Sequence, residues 1–150
     1  MAYELNYTHR VAVGVYVFDG EGRLLLLKRR NPPLVFAPPG GRLAPDEDPR
    51  EGARREVKEE AGIDVKILGP ALVWFGHIVP DTPPVLGIDF VGRALSTDIK
   101  LSDEHSEFVW AEASQITAGE IPTVDQNGSG YAVPDIIRAF ELYEYYSLKD

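Results

Sequence analysis

Between Pro38 and Ile63 the chain reads PPGGRLAPDEDPREGARREVKEEAGI, and this stretch constrains the fold more than any other. It predicts a helix with both ends marked. Asp48 is a good N-cap, Pro49 suits the first helical position, and Glu51 completes a capping-box pattern. Gly62 stops the helix about four turns later. Each helical residue turns about 100° around the axis, so Glu60 lies about 40° to one side of Glu56 and Glu59 about 60° to the other. Ala53, Val57 and Ala61 lie beside them and anchor the helix to a core, while Lys58 and Glu51 point to solvent.

Three carboxylates on one narrow face repel. Each like-charge neighbour costs about 0.2–0.5 kcal/mol on an exposed helix, and burial raises the cost. Arg55, about 40° from Glu59, offsets part of it. A divalent cation offsets far more, and hard oxygen donors suit Mg²⁺ or Mn²⁺. A Glu/Lys/Arg-rich helix face is, however, usually just solvated, so the helix alone does not decide between a metal site and a wet surface.

The wider segment does. Gly41, Glu47, Arg55, Glu56, Val57, Glu59, Glu60, Gly62 and Ile63 fall in register with the Nudix box, which residues 41–63 resemble. That box is a glycine, five residues, a glutamate, seven residues, then Arg-Glu-apolar-any-Glu-Glu-any-Gly-apolar. The match covers 23 of the 150 residues, and its seven invariant positions are all filled. By chance that happens about once in 10⁸ trials at typical abundances. The resemblance implies Mg²⁺-dependent hydrolysis of a nucleoside diphosphate linked to another group. It implies metal ligands at Glu56, Glu59, Glu60 and the Gly40 carbonyl, an orienting salt bridge from Arg55, and a bracing role for Glu47. The proton acceptor is Glu56, Glu59 or a glutamate from a distant loop. In LSDEHSEF (101–108) Glu104 is preferred, since Glu107 already belongs to a strand, and solvated charge before that strand is the competing reading.

The rest of the chain fits that fold. RVAVGVYVFD (10–19) and RLLLLKRR (23–30) predict a hairpin around the Asp19–Gly22 turn. Residues 65–79, 85–95 and 107–112 predict further strands, and Pro134 opens a second helix with Ile136, Ile137, Phe140 and Tyr143 inward. The class is α/β (α+β), a mixed sheet sandwiched between helices, in one domain over 1–150.

Other signals are weaker. Lys28, Arg29, Arg30 and Arg42 flank the loop before the box, and Arg29 and Arg42 are the candidates for substrate phosphates. Trp74, Phe75 and His77 share a strand, Trp74 on the face opposite the other two. One can stack on a base, with Phe75 the candidate and core packing the competing reading. Asp89 sits in an apolar strand and needs a partner, a substrate hydroxyl or a structural ion pair. DQNGSG (125–130) is a loop that can cover the site.

Composition narrows the partners. Residues 1–42 carry +3 and the remainder −12, for a net charge of −9. That balance disfavours DNA or RNA, whose affinity comes from neutralised phosphates, and leaves a small nucleoside diphosphate derivative held near the basic patch. The chain has no cysteine, which favours a reducing, cytoplasmic home and excludes the cysteine-dependent prenyl diphosphate isomerases of similar fold. The first ten residues lack a secretory pattern, and no apolar run is long enough for a membrane span. A homodimer is possible. Subtype signatures are incomplete: the NADH-type motif is absent, Pro80 lies seventeen residues past Ile63 where many ADP-ribose hydrolases place a proline at sixteen, and Val79–Asp81 lacks the tyrosine of dinucleoside polyphosphate hydrolases. ADP-ribose, a nucleotide sugar or a nucleoside triphosphate all remain. The alternative is a non-catalytic nucleotide-sensing module, against which the complete box argues.

Overall fold

The computed structural model describes residues 9–150. The expectation of an N-terminus without a secretory pattern falls mostly on residues 1–8, outside that range. The centre of the sheet is β1 (Arg10–Phe18), a valine-rich run whose branched side chains suit a buried pleat. β2 (Leu24–Arg29) returns beside it after the expected turn, pairing at Phe18 and Leu24. Asp19 holds that turn: its Oδ1 accepts the N–H groups of Glu21 and Arg23, both at 2.9 Å, and its Oδ2 takes the Arg23 guanidinium at 2.8 Å. Asp19 is buried, so Asp19→Ala strands two backbone donors. The expected loss is about 2 kcal/mol of unfolding free energy, read from the urea midpoint at unchanged m-value; an unchanged midpoint would contradict it.

Short β3 (Phe36–Ala37) and β4 (Gly40–Arg42) follow, then α1 (Pro49–Ala61). β5 (Val65–Gly76) and β6 (Val85–Ala94) form an antiparallel pair, and β6 runs parallel to β1 along the whole of β1. β7 (His105–Ala111) pairs with β2. The sheet order is β3-β2-β1-β6-β5, with β4 on β1 and β7 on β2. α2 (Ala113–Thr117) and α3 (Val133–Lys149) complete the chain.

Alternation along β1 explains the layers. Val13, Val15 and Val17 pack with Ala53, Val57 and Ala61 of α1 on one face. Tyr16 and Phe18 pack with Ile136 and Ala139 of α3 on the other. The mixed sheet between helices is therefore as expected.

Three details differ from the sequence reading. α2 was not anticipated, since five residues carry too little periodicity. β5 ends at Gly76, not 79, because the chain curls there: the Thr82 hydroxyl donates to the Val79 carbonyl at 2.5 Å. Ile137 is only half-buried; it lies about 100° around the helix from Ile136, and Ala139 takes the core position.

Candidate active site

α1 begins as its sequence dictates. The Asp48 carboxylate accepts from the Arg50 and Glu51 N–H groups, and Gly62 closes the helix in the left-handed region with φ 73°. The reciprocal half of the capping box does not form, because the Glu51 carboxylate pairs with Arg54 instead. Ala53, Val57 and Ala61 are fully buried, which fixes the helix's rotation and sets Glu56 and Glu60 along the margin of that buried stripe. Glu56 and Glu60 are 8% and 6% exposed; Glu59 lies in solvent.

Arg55 organises the outer two. Its Nε and Nη2 donate to Glu47 at 2.7 and 2.8 Å, and its Nη1 reaches Glu56 at 3.0 Å and Glu59 at 3.1 Å. Nη2 also donates to the Arg42 carbonyl at 3.2 Å, tying the helix to β4. The hydrogen bond from Arg55 is the main reason Glu47 is pulled down to about 2, and the carboxylates together push Arg55 further up. Gly41 explains the glycine that opens the motif: a Cβ there would lie 2.5 Å from the Glu56 carboxyl carbon, so a bare backbone is what admits this carboxylate.

Glu60 is separate from that network. Its Oε1 accepts the Gly40 N–H at 2.8 Å, and its carboxylate lies with Glu104 and His105, their donor atoms all within 4.8 Å of one another. Burial pushes Glu60 up to about 9, helped by Glu104, and burial also raises Glu56. His105 is buried and pushed down by that burial, which favours the neutral imidazole, and its Nδ1 has no partner. Carboxylate oxygens crowded together, one of them deeply buried, beside an imidazole with an unpartnered ring nitrogen, are a donor set that fits a divalent cation.

This cluster forms one wall of a cavity of about 520 Å³. Gly40, Glu60, Glu104 and His105 line it on one side of Gly14, Trp74 and Asp89 line it on the other, and the Tyr131 hydroxyl lies over Gly14 itself. Gly40 and Asp89 are the two flanking partners of Gly14, so they stand two strand spacings apart, about 10 Å.

The structure brings together most of the sequence candidates. Glu104 lines the cavity, whereas Glu107 lies exposed on β7. Arg42 lines it too, exposed at the rim. Arg29 lines it, but its donors hold the carbonyls of Asn31, Pro32 and Pro33, so it braces the loop. Asp89 is buried in the wall. Phe75 is not in the wall: it is 60% exposed and meets the His9 ring edge-on at 6.0 Å. Strand alternation separates Trp74 from Phe75, and the Trp74 indole is the one that faces inward. Glu56 and Glu59 pair with Arg55 and do not line the cavity, so among the α1 glutamates it is lined by Glu60. Loop 125–130 is held as a turn by Asp125, whose Oδ1 accepts from Asn127 and Ser129 at 2.9 Å; Gly130 alone of those six lines the cavity. His105 is the residue that sequence reasoning passed over, although it stands between Glu104 and Glu107 in the same short run.

The class of this carboxylate-edged helix and cavity is given by comparison with known proteins. The sequence profile of the NUDIX domain matches residues 8–131, and this chain belongs to the NUDIX family. An RNA pyrophosphohydrolase of Rhodospirillum rubrum is 26% identical over 149 residues, covering 84% of this chain and 90% of that protein. An ADP-ribose pyrophosphatase of Methanocaldococcus jannaschii is 30% identical over 106 residues, 67% of this chain and 61% of that one. The crystal structure of a MutT protein from Methanosarcina mazei Go1 superposes with a TM-score of 0.62 at 27% identity, over 97% of this chain and 98% of that one. The chain is a Nudix pyrophosphohydrolase. Among the described residues no helix is long and apolar enough to cross a membrane.

Proposed function

We propose that this chain uses Mg²⁺, or Mn²⁺ in its place, to hydrolyse the diphosphate linkage of a small nucleoside diphosphate derivative. The carrying observation is the buried Glu60 carboxylate, set with Glu104 and His105 at the wall of a nucleotide-sized cavity. Glu56, Glu59, Glu60 and the Gly40 carbonyl are the ligands the family motif implies, and the donor atoms that already stand together are those of Glu60, Glu104 and His105, so Glu60 would be the ligand common to both sets. When bound, it neutralises phosphate oxygens and acidifies water. Arg55 keeps Glu56 and Glu59 oriented through its fork of hydrogen bonds. Glu104, facing the cavity beside Glu60, takes the proton of the attacking water at its carboxylate. Arg42 at the rim meets a phosphate oxygen.

Relatives are named for RNA and for ADP-ribose. A net charge of −9 works against a polyanion, and a cavity of about 520 Å³ is of the size that encloses a small molecule. The absence of cysteine supports a reducing compartment, the cytoplasm. The test is product release with Mg²⁺ from ADP-ribose, a nucleotide sugar, a nucleoside triphosphate and 5′-triphosphorylated RNA. The small nucleotides should turn over faster than the RNA. Turnover of RNA alone would overturn the substrate class, and turnover of none would favour a sensing module.

Stability depends on pH through the buried carboxyls. Glu60 has its ordinary 4.5 in the unfolded chain and about 9 in the fold. Its contribution is therefore fully present below about 4.5 and is lost as pH climbs towards 9. Asp89, raised from 3.8 to about 7 by burial, acts in the same direction over a lower window. The melting temperature in EDTA should fall from pH 5 to pH 9, and Mn²⁺ should raise it most at the alkaline end, where ligands are deprotonated. A metal-induced shift that is the same at every pH would contradict this.

A further inference from the structure

Two glycines clear the floor on the far side of the cavity. Gly14 pairs with Asp89 across β1 and β6, and Gly87 pairs with Trp74 across β6 and β5. A Cβ at position 14 would lie 2.6 Å from Asp89 Oδ1, and one at position 87 would lie 1.9 Å from the Trp74 indole. The missing side chains make a recess that this indole and this carboxyl fill, and both line the cavity.

Asp89 is only 2% exposed. The Trp74 indole lies near enough to its carboxyl group to hold it down against burial, yet Oδ2 has no partner in the protein, and neither does the nearby Tyr16 hydroxyl. A polar atom left unpaired at that depth is costly, and a ligand entering the cavity can supply the partner. The titratable groups facing Asp89 are Tyr16 from β1, Tyr131 from the segment before α3, and Asp135 from α3. None brings positive charge, so burial and Asp135 favour the neutral carboxyl.

A neutral carboxyl presents a hydroxyl donor beside a carbonyl acceptor. Its complement is an edge with a ring-nitrogen acceptor beside an amino donor. Adenine has that pair at N7 and N6, whereas guanine shows two acceptors, N7 and O6, on the same edge. The recess lies about two strand spacings, roughly 10 Å, from the Gly40 side where the phosphates are placed. We propose that Asp89, seated by Trp74, reads the base of the bound nucleotide and selects an adenine-type edge over a guanine-type one. This inference rests on the cavity being a nucleotide site.

The test is calorimetric binding of AMP and GMP in EDTA at about pH 6 and about pH 8.5, on either side of the value of about 7 to which burial raises Asp89. The AMP-to-GMP affinity ratio cancels the titration of the phosphate itself. In the natural protein the ratio should be about tenfold or more at the lower pH, as one well-made bidentate contact gives, and should shrink about tenfold at the higher. Asp89→Asn, whose amide offers donor and acceptor at every pH, should hold the preference at both. Asp89→Leu should lose it while still melting cooperatively. A ratio near one in the natural protein, or one untouched in Asp89→Leu, overturns the proposal. Should Asp89→Leu not fold, a ratio in Asp89→Asn that still falls with pH overturns it equally. Binding without metal separates this from hydrolysis: a protein that prefers AMP through Asp89 but cleaves nothing removes the enzymatic reading alone. A protein that cleaves nucleotides with a preference indifferent to Asp89 removes this inference alone.

Discussion

Glu60→Gln is expected to lower kcat at saturating Mg²⁺ by about 10²- to 10³-fold and to raise the melting temperature of the metal-free protein. The two effects share one cause. Glu60 is buried, keeps the Gly40 N–H as a partner, and lies against Glu104 and His105. Its ionised form is costly there, which is why burial raises it to about 9. Glutamine keeps an acceptor for Gly40 and removes the charge, so the fold gains above pH 5 while the site loses an anionic ligand. Steady-state turnover and melts in EDTA read the two halves. Full activity in a more stable protein would mean that Glu60 holds no metal. Activity lost together with stability would mean that the residue is structural.

Arg55→Ala should produce the next largest effect, and on both axes. The guanidinium satisfies Glu47, Glu56, Glu59 and the Arg42 carbonyl at once. Its removal leaves the half-buried Glu47 and the buried Glu56 without the guanidinium that pairs them. The side chain is 34% exposed, so solvent screens part of the cost, and about 2 kcal/mol of stability is expected to go. Turnover should fall about 10- to 100-fold, because the residue orients ligands without touching substrate. Arg55→Lys should not restore it, since an ammonium cannot span Glu47 and Glu56 in one plane. Complete rescue by lysine would show that charge alone matters there.

The fold was legible because its punctuation is local. Asp48, Pro49 and Gly62 mark α1, and the alternation of Val13, Val15 and Val17 with Tyr16 and Phe18 marks a strand covered on both faces. The glutamate register was legible for the same reason, since helical spacing is fixed by 3.6 residues per turn. What resisted was the side of the sheet that each strand residue faces. Alternation says that Trp74 and Phe75 point apart, but the register shifts of β5 near Ile67 and Pro70 break the count that would say which points to the cavity. The division of labour among Glu56, Glu59 and Glu60 was equally hidden. It depends on Arg55 reaching back to Glu47 and on Gly40 meeting Glu60 across twenty residues, contacts that only the tertiary fold creates. His105 joins the site through the pairing of β7 with β2, opposite Arg29, another long-range consequence.

Turnover of ADP-ribose in ¹⁸O-labelled water, followed by ³¹P NMR with Mg²⁺ and with EDTA, tests the central claim most directly. Cleavage that requires the metal and leaves one ¹⁸O on a phosphate product is the result expected if the α1 carboxylates hold a cation that activates water against phosphorus. Label-free phosphates, or equal cleavage in EDTA, would contradict it.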